Sequence, residues 1–176
     1  MEIKAKCNYD FEAIRALTHL ANYKRANPKK RLITWMVLLT ALMLAIVLEM
    51  RFFPTASLRT AFWVSGIAAL LELYLYFLLP KIRYNAMAKS KDIQNSYIFL
   101  DDSLKAVTKS DTYNGEAEIS YSMLFKVYET SRYFFIFQTK NQAFIVDKHT
   151  LEGGTATQLR EKLTAFVKDK FIICRY

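Results

Sequence analysis

Two apolar runs dominate the hydropathy pattern, residues 32–48 and 60–79, with eleven residues between them. At about 1.5 Å per helical residue they reach roughly 25 and 30 Å, close to the ~30 Å hydrocarbon core of a bilayer. They predict a transmembrane helical hairpin. Ahead of it Ile3, Ala5, Cys7 and Tyr9 alternate with Lys4, Lys6 and Asn8, the period of a half-buried strand. Asp10 stands where it caps a helix with the stripe Phe11, Ile14, Leu17 and Ala21, which Asn27-Pro28 ends. That helix either lies along the membrane or packs on the C-terminal part. After Pro80, residues 81–91 continue or restart the second span as a basic helix.

Short β-rich runs follow at 97–100, 104–107, 117–121 and 124–128, punctuated by turns at Asp101-Asp102 and Tyr113-Asn114-Gly115. A hairpin is predicted from 133–139 and 143–146 around Lys140-Asn141-Gln142, where Asn141 can take positive φ at little cost. Residues 133–137, Tyr-Phe-Phe-Ile-Phe, are apolar on both faces and read as a central strand. The chain turns at Gly153-Gly154 into a last helix, with Thr155 and Gln158 spaced as a capping box and Leu159, Leu163, Phe166 and Val167 as its apolar face. Four segments result: 1–31, a strand and juxtamembrane helix; 32–79, the hairpin; 80–94, a basic linker helix; and 95–176, an α+β domain. Strands followed by one amphipathic helix suggest a small antiparallel barrel or curled sheet capped by that helix, the order of a pleckstrin-homology-like (PH-like) domain. The strand at 3–9 has no partner in its own segment and is expected to pair with or pack beside the 95–176 sheet.

Charge sets orientation. Lys24, Arg25, Lys29, Lys30 and Arg31 precede the first run, Lys81, Arg83, Lys89 and Lys91 follow the second, and only Arg51 and Arg59 lie between. Both termini are therefore expected in the cytosol. Phe52, Phe53, Pro54 and Trp63 fit an outer aromatic anchor. No small-residue cleavage site follows the first run, which argues against a signal peptide. The chain is 53% hydrophobic with a net charge of +9. Because the basic excess gathers at the membrane ends, it reads as topology and lipid contact, with Lys29, Lys30, Arg31, Lys81 and Arg83 as the headgroup flank, and not as a nucleic-acid surface.

Candidate chemistry is sparse. Cys7 and Cys174, with His19 and His149, lack zinc-site spacing, and no phosphate-binding, dinucleotide or nucleophile-elbow motif occurs. No catalytic residue, metal or cofactor is expected. Lys140, Lys148 and His149 read as a solvated edge. Glu72 stands out because a carboxylate within a span is expensive, about 2.5 kcal/mol or more at the centre. It shares a helical face with Ser65, Ala68 and Ala69, whose small side chains admit a neighbouring helix, and Thr40 on the first span is a candidate partner. A structural carboxyl within the hairpin or a homodimer and a proton- or ion-handling group are both compatible with that position.

The whole arrangement resembles the YcxB-like family of bacterial membrane proteins. The likeness lies in the opening strand, Asp10-Phe11, Asn27-Pro28-Lys29-Lys30-Arg31 entering the hairpin, Ile119-Ser120-Tyr121-Ser122, the 133–137 run, the strand 142–148 leading to Lys148, and Leu159-Arg160. The resemblance implies a two-span protein of the bacterial cell membrane with a PH-like cytosolic domain, and it supplies no active-site residues. Two functions are expected from it and from the residues. One is a membrane-anchored interaction module that binds a protein partner or anionic inner-leaflet lipid. The other is a small immunity or transporter-accessory protein acting through its spans, with a homo-oligomer or a membrane protein as partner.

Overall fold

The computed structural model describes residues 2–23, 26–53, 55–87, 94–109 and 114–174. Lys24, Arg25, Pro54, Lys89, Ser90, Lys91 and Tyr113, which entered the expectations above, lie outside the described residues.

Strand β1 (Ile3–Asn8) buries Ile3, Ala5 and Cys7 and exposes the residues between, as its alternation requires. Asp10 then caps α1 (Phe11–Tyr23) by accepting the Ala13 N–H at 2.7 Å. The buried face of α1 includes Ala13, Ile14, Leu20 and Tyr23, whereas Ala21 is exposed. Asn27 accepts the Lys30 N–H and Pro28 occupies the first turn of α2 (Pro28–Phe52), where a missing N–H is harmless. Thr55 caps α3 (Ala56–Leu73), which passes through a π-helical segment, Tyr74–Leu78, into α4 (Leu79–Ala86). Two helices long and apolar enough to cross a membrane therefore result, Pro28–Phe52 and Ala56–Ala86. They are longer than the apolar runs because capping extends each into its polar flanks.

The remaining strands are β2 (Gln94–Phe99), β3 (Ser103–Lys109), β4 (Asn114–Ser120), β5 (Lys126–Glu129), β6 (Tyr133–Phe137), β7 (Ala143–Asp147) and β8 (Phe171–Ile173), with α5 (Ala156–Val167) before the last. They form two four-stranded sheets, ordered β1-β2-β3-β4 and β7-β6-β5-β8. β1 pairs antiparallel with β2, Ile3 opposite Phe99, so the expected partnership of the N-terminal strand holds. Of the expected barrel or curled sheet, no closed barrel forms among the described residues. No ladder joins β1 to β7; β1 is held instead to the segment after β7, by a bridge between Lys4 and Glu152 whose two N–H···O bonds are each 2.8 Å and by the Thr150 hydroxyl on the Lys6 backbone. At that bridge Gly153 has φ +76°, and a Cβ there would meet the Glu2 carbonyl at 2.6 Å, so glycine is required.

The two sheets are instead joined by one hydrophobic core containing Phe99, Leu104, Phe134, Phe135 and Ile145, closed by Leu159 and Leu163 of α5. Face-to-face packing buries the inner faces of both sheets without continuous pairing between their edges. β6 lies inside its sheet with residues 133–136 buried, as the two-faced apolar run predicts. β8 went unanticipated and pairs parallel with β5. The capping box at Thr155 and Gln158 is present, while Phe166, expected in the core face, is 44% exposed and packs its ring 5.2 Å from that of Tyr121. Positive φ at Asn141 is not taken. Lys168 is the only non-glycine residue in that region among those described; in the 138–142 loop the Thr139 hydroxyl accepts the N–H groups of Asn141 and Gln142 and supplies the turn instead.

Candidate functional site

Pro80 has no N–H, so the carbonyl of Tyr76, four residues earlier, loses its α-helical donor. The helix responds locally with π bonding, the Leu79 N–H reaching back to Tyr74. His19 of α1 takes the freed position: its Nε2 lies 3.0 Å from the Tyr76 carbonyl and its ring stacks on Tyr76 with centroids 4.6 Å apart. A carbonyl only accepts, so Nε2 carries the proton. Burial lowers the His19 pKa, against the smaller raising effect of that hydrogen bond. One imidazole thus ties the N-terminal helix to the second span.

Around this tie lies a cleft of about 310 Å³. Glu12, Arg15 and His19 form one wall, Asn27 to Lys29 at the start of α2 a second, and Thr130 to Tyr133 in the β5–β6 turn a third, with Tyr76 at the junction. Thr130 stiffens the turn by accepting the Tyr133 N–H through its hydroxyl, which also donates to the Tyr133 carbonyl. Arg132 is aimed by Asp147, whose Oδ2 accepts from Nε and Nη2 at 3.0 and 2.8 Å. Its guanidinium also lies 5.0 Å from the centroid of the Tyr133 ring. Arg15 is paired with Glu12 across one helical turn. Tyr133 is 4% exposed, its hydroxyl has no hydrogen-bond partner among the described residues, and burial pushes its pKa up to about 12.

Beneath the turn, the Glu129 side chain is 2% exposed and accepts from Lys148 Nζ and from Arg160 Nε and Nη2, all at 2.6 Å. Lys148 also donates to the Thr130 carbonyl. Burial raises the Glu129 pKa, but the hydrogen bonds and charges of Arg160 and Lys148 overcome it and leave the carboxyl below its usual value. Lys148, expected at a solvated edge, is therefore largely buried, whereas Lys140 and His149 are exposed as expected.

The residues singled out by sequence are distributed differently. Ser65 is the one buried residue of α3, its hydroxyl back-bonded to the Phe62 carbonyl at 2.8 Å, with Ala68 and Ala69 half-buried beside it. Leu39 and Ile46 are the buried apolar residues within the α2 span. Glu72 continues the Ser65 face, and its Oε2 is buried without a hydrogen-bond partner among the described residues. Thr40 is exposed on α2, in a groove with Met36, Val37 and Leu44. Glu72 instead lies within electrostatic reach of Tyr23, whose hydroxyl pKa is raised by burial and then by Glu72; Arg31, 5.3 Å above the Tyr23 ring, opposes the rise. Of the five basic flank residues only Lys29 lines the cleft; Lys30, Lys81 and Arg83 are exposed elsewhere. Cys7 and Cys174 are buried free thiols, and burial raises the Cys7 pKa to about 12, leaving it protonated.

Sequence reasoning missed Arg15, Tyr76, Glu129 and Arg132. The proline four residues after Tyr76 was a legible signal for a free carbonyl; the others are joined only by the fold.

These features define a protein with two long apolar helices carrying an α+β domain docked at one end of the hairpin. The family model described as YcxB-like protein matches residues 99–163. The match runs from the end of β2 into α5, and Glu129, Lys148 and Arg160 all fall within it. No curated protein matches the chain, and no solved structure does.

Proposed function

We propose that this chain is a membrane-anchored interaction module that works at the inner-leaflet surface, the α+β domain recognising a partner there and the hairpin holding it in place. The carrying observation is the cleft itself. It is built jointly by the domain (Thr130 to Tyr133), by α1 and by the ends of both apolar helices (Lys29, Tyr76), so whatever occupies it contacts the anchor and the domain together. The basic flanks favour a cytosolic location for both ends. A PH-like ancestry of the domain fits the order of strands then helix, with the two sheets as an opened form of that plan.

An immunity or transporter-accessory role through the spans draws on a different observation, the buried and unpartnered Glu72 Oε2. Complementation of the deletion phenotype by full-length variants separates the two. A module tolerates Glu72→Gln, which keeps shape and a donor, and loses function with Lys29→Gln combined with Arg132→Gln. Loss with Glu72→Gln and tolerance of the cleft pair would transfer the function to the spans.

A further inference from the structure

We infer that the junctional cleft binds the phosphate of an anionic phospholipid headgroup; this rests on the interaction-module function proposed above and names its ligand. Charge comes first. Arg15, Lys29 and Arg132 line the cleft against a single carboxylate, Glu12, which is already engaged by Arg15. Asp147 takes the Nε and Nη2 of Arg132, which fixes the guanidinium plane and leaves its Nη1 edge for a second anion. Lys29 is exposed and has no ion-pair partner among the described residues. It stands at the positive end of a 25-residue helix, where the helix dipole favours an anion. The Tyr133 ring, its centroid 5.0 Å from the Arg132 guanidinium, backs the same wall.

Depth then identifies the source of the phosphate. Lys29 precedes the apolar run that begins at Leu32 by three residues, about 5 Å of helix, and Tyr76 lies just inside the end of the other run. A headgroup layer is itself about 5–8 Å thick on each side of the hydrocarbon. The cleft therefore opens at headgroup depth, where a phospholipid phosphate is held in two dimensions beside it and a free phosphate is not. The anionic excess of a phosphatidylglycerol-type lipid suits a wall with more cations than carboxylates.

The test uses the full chain in nanodiscs of phosphatidylcholine alone, of equal phosphatidylcholine and phosphatidylglycerol, and of phosphatidylcholine with added inorganic phosphate. Amide exchange is read at residues 27–31 and 129–133. Slower exchange only with phosphatidylglycerol is expected. Lys29→Gln and Arg132→Gln should each weaken that protection about fivefold, the factor for one cation lost at an anionic surface. Lys81→Gln, which removes a flank charge outside the cleft, should weaken it less than either cleft variant does. Lys29 is exposed, so its variant tests binding even if Arg132→Gln loosens the turn. Equal protection by inorganic phosphate overturns the lipid source. Equal loss in Lys81→Gln reduces the effect to general surface attraction and overturns the site. Indifference to phosphatidylglycerol also overturns it; the module function survives that outcome if the cleft variants still fail to complement.

Discussion

The carboxylate of Glu129 joins three pieces of chain that are far apart in sequence. Removing one partner from a buried ion network leaves uncompensated charge, so Glu129→Ala is expected to destabilise the domain by about 3 kcal/mol, measured by denaturant unfolding. Arg160→Ala leaves the buried Glu129 still paired with Lys148, so it should have a smaller effect. The pH dependence follows from the sign of the shift. Glu129 has a folded pKa below its usual 4.5, so its stabilisation is complete above about that pH and is lost as pH falls through the folded value. Glu129→Gln should flatten the acid limb of the stability curve; an unchanged limb would assign acid sensitivity to other carboxylates. Lys148 and Arg160 belong to the very motifs on which the family resemblance rests, yet their common partner was illegible, because an ion pair between a strand end and a helix has no sequence period.

At the scale of elements, the second long helix is shaped by Pro80. Restoring an N–H there gives Tyr76 a helical donor and removes the reason for its bond to His19. Pro80→Ala is therefore expected to convert the π segment to α-helix and to speed amide exchange in α1 severalfold, since α1 loses a tether to the span. If α1 exchange is unaffected, its docking rests on apolar contacts alone, such as Phe11 against Tyr84 at 5.7 Å. Most elements were legible from pattern: the alternation of β1, the two capped apolar helices, the apolar run of β6 and the capping box of α5 are each local. β8 escaped because three residues give no periodicity, and it exists through its parallel pairing with β5.

For the whole molecule, β1 and β2 bracket the hairpin in sequence and are hydrogen-bonded to each other, so both ends of the hairpin meet on one side. Single cysteines in a background lacking Cys7 and Cys174 test which side. Rapid labelling at Ser57 by an impermeant reagent in intact cells, with protection at Glu118, is expected from the basic flanks. The opposite pattern would place the cleft at the outer surface and remove the inner leaflet as its setting.

Sequence by itself determined the hairpin, the strand-and-helix content of the domain and its family likeness, because hydropathy, caps and alternation are written within a few residues of where they act. Only the tertiary structure decided that the strands form two sheets in place of a barrel, that Glu72 neighbours Tyr23 while Thr40 faces outward, and that Arg15, Lys29 and Arg132 share one cleft. Those outcomes depend on which surfaces meet, and charges separated by more than a hundred residues become neighbours only when β1 and β2 close the chain on itself and His19 grips the second span.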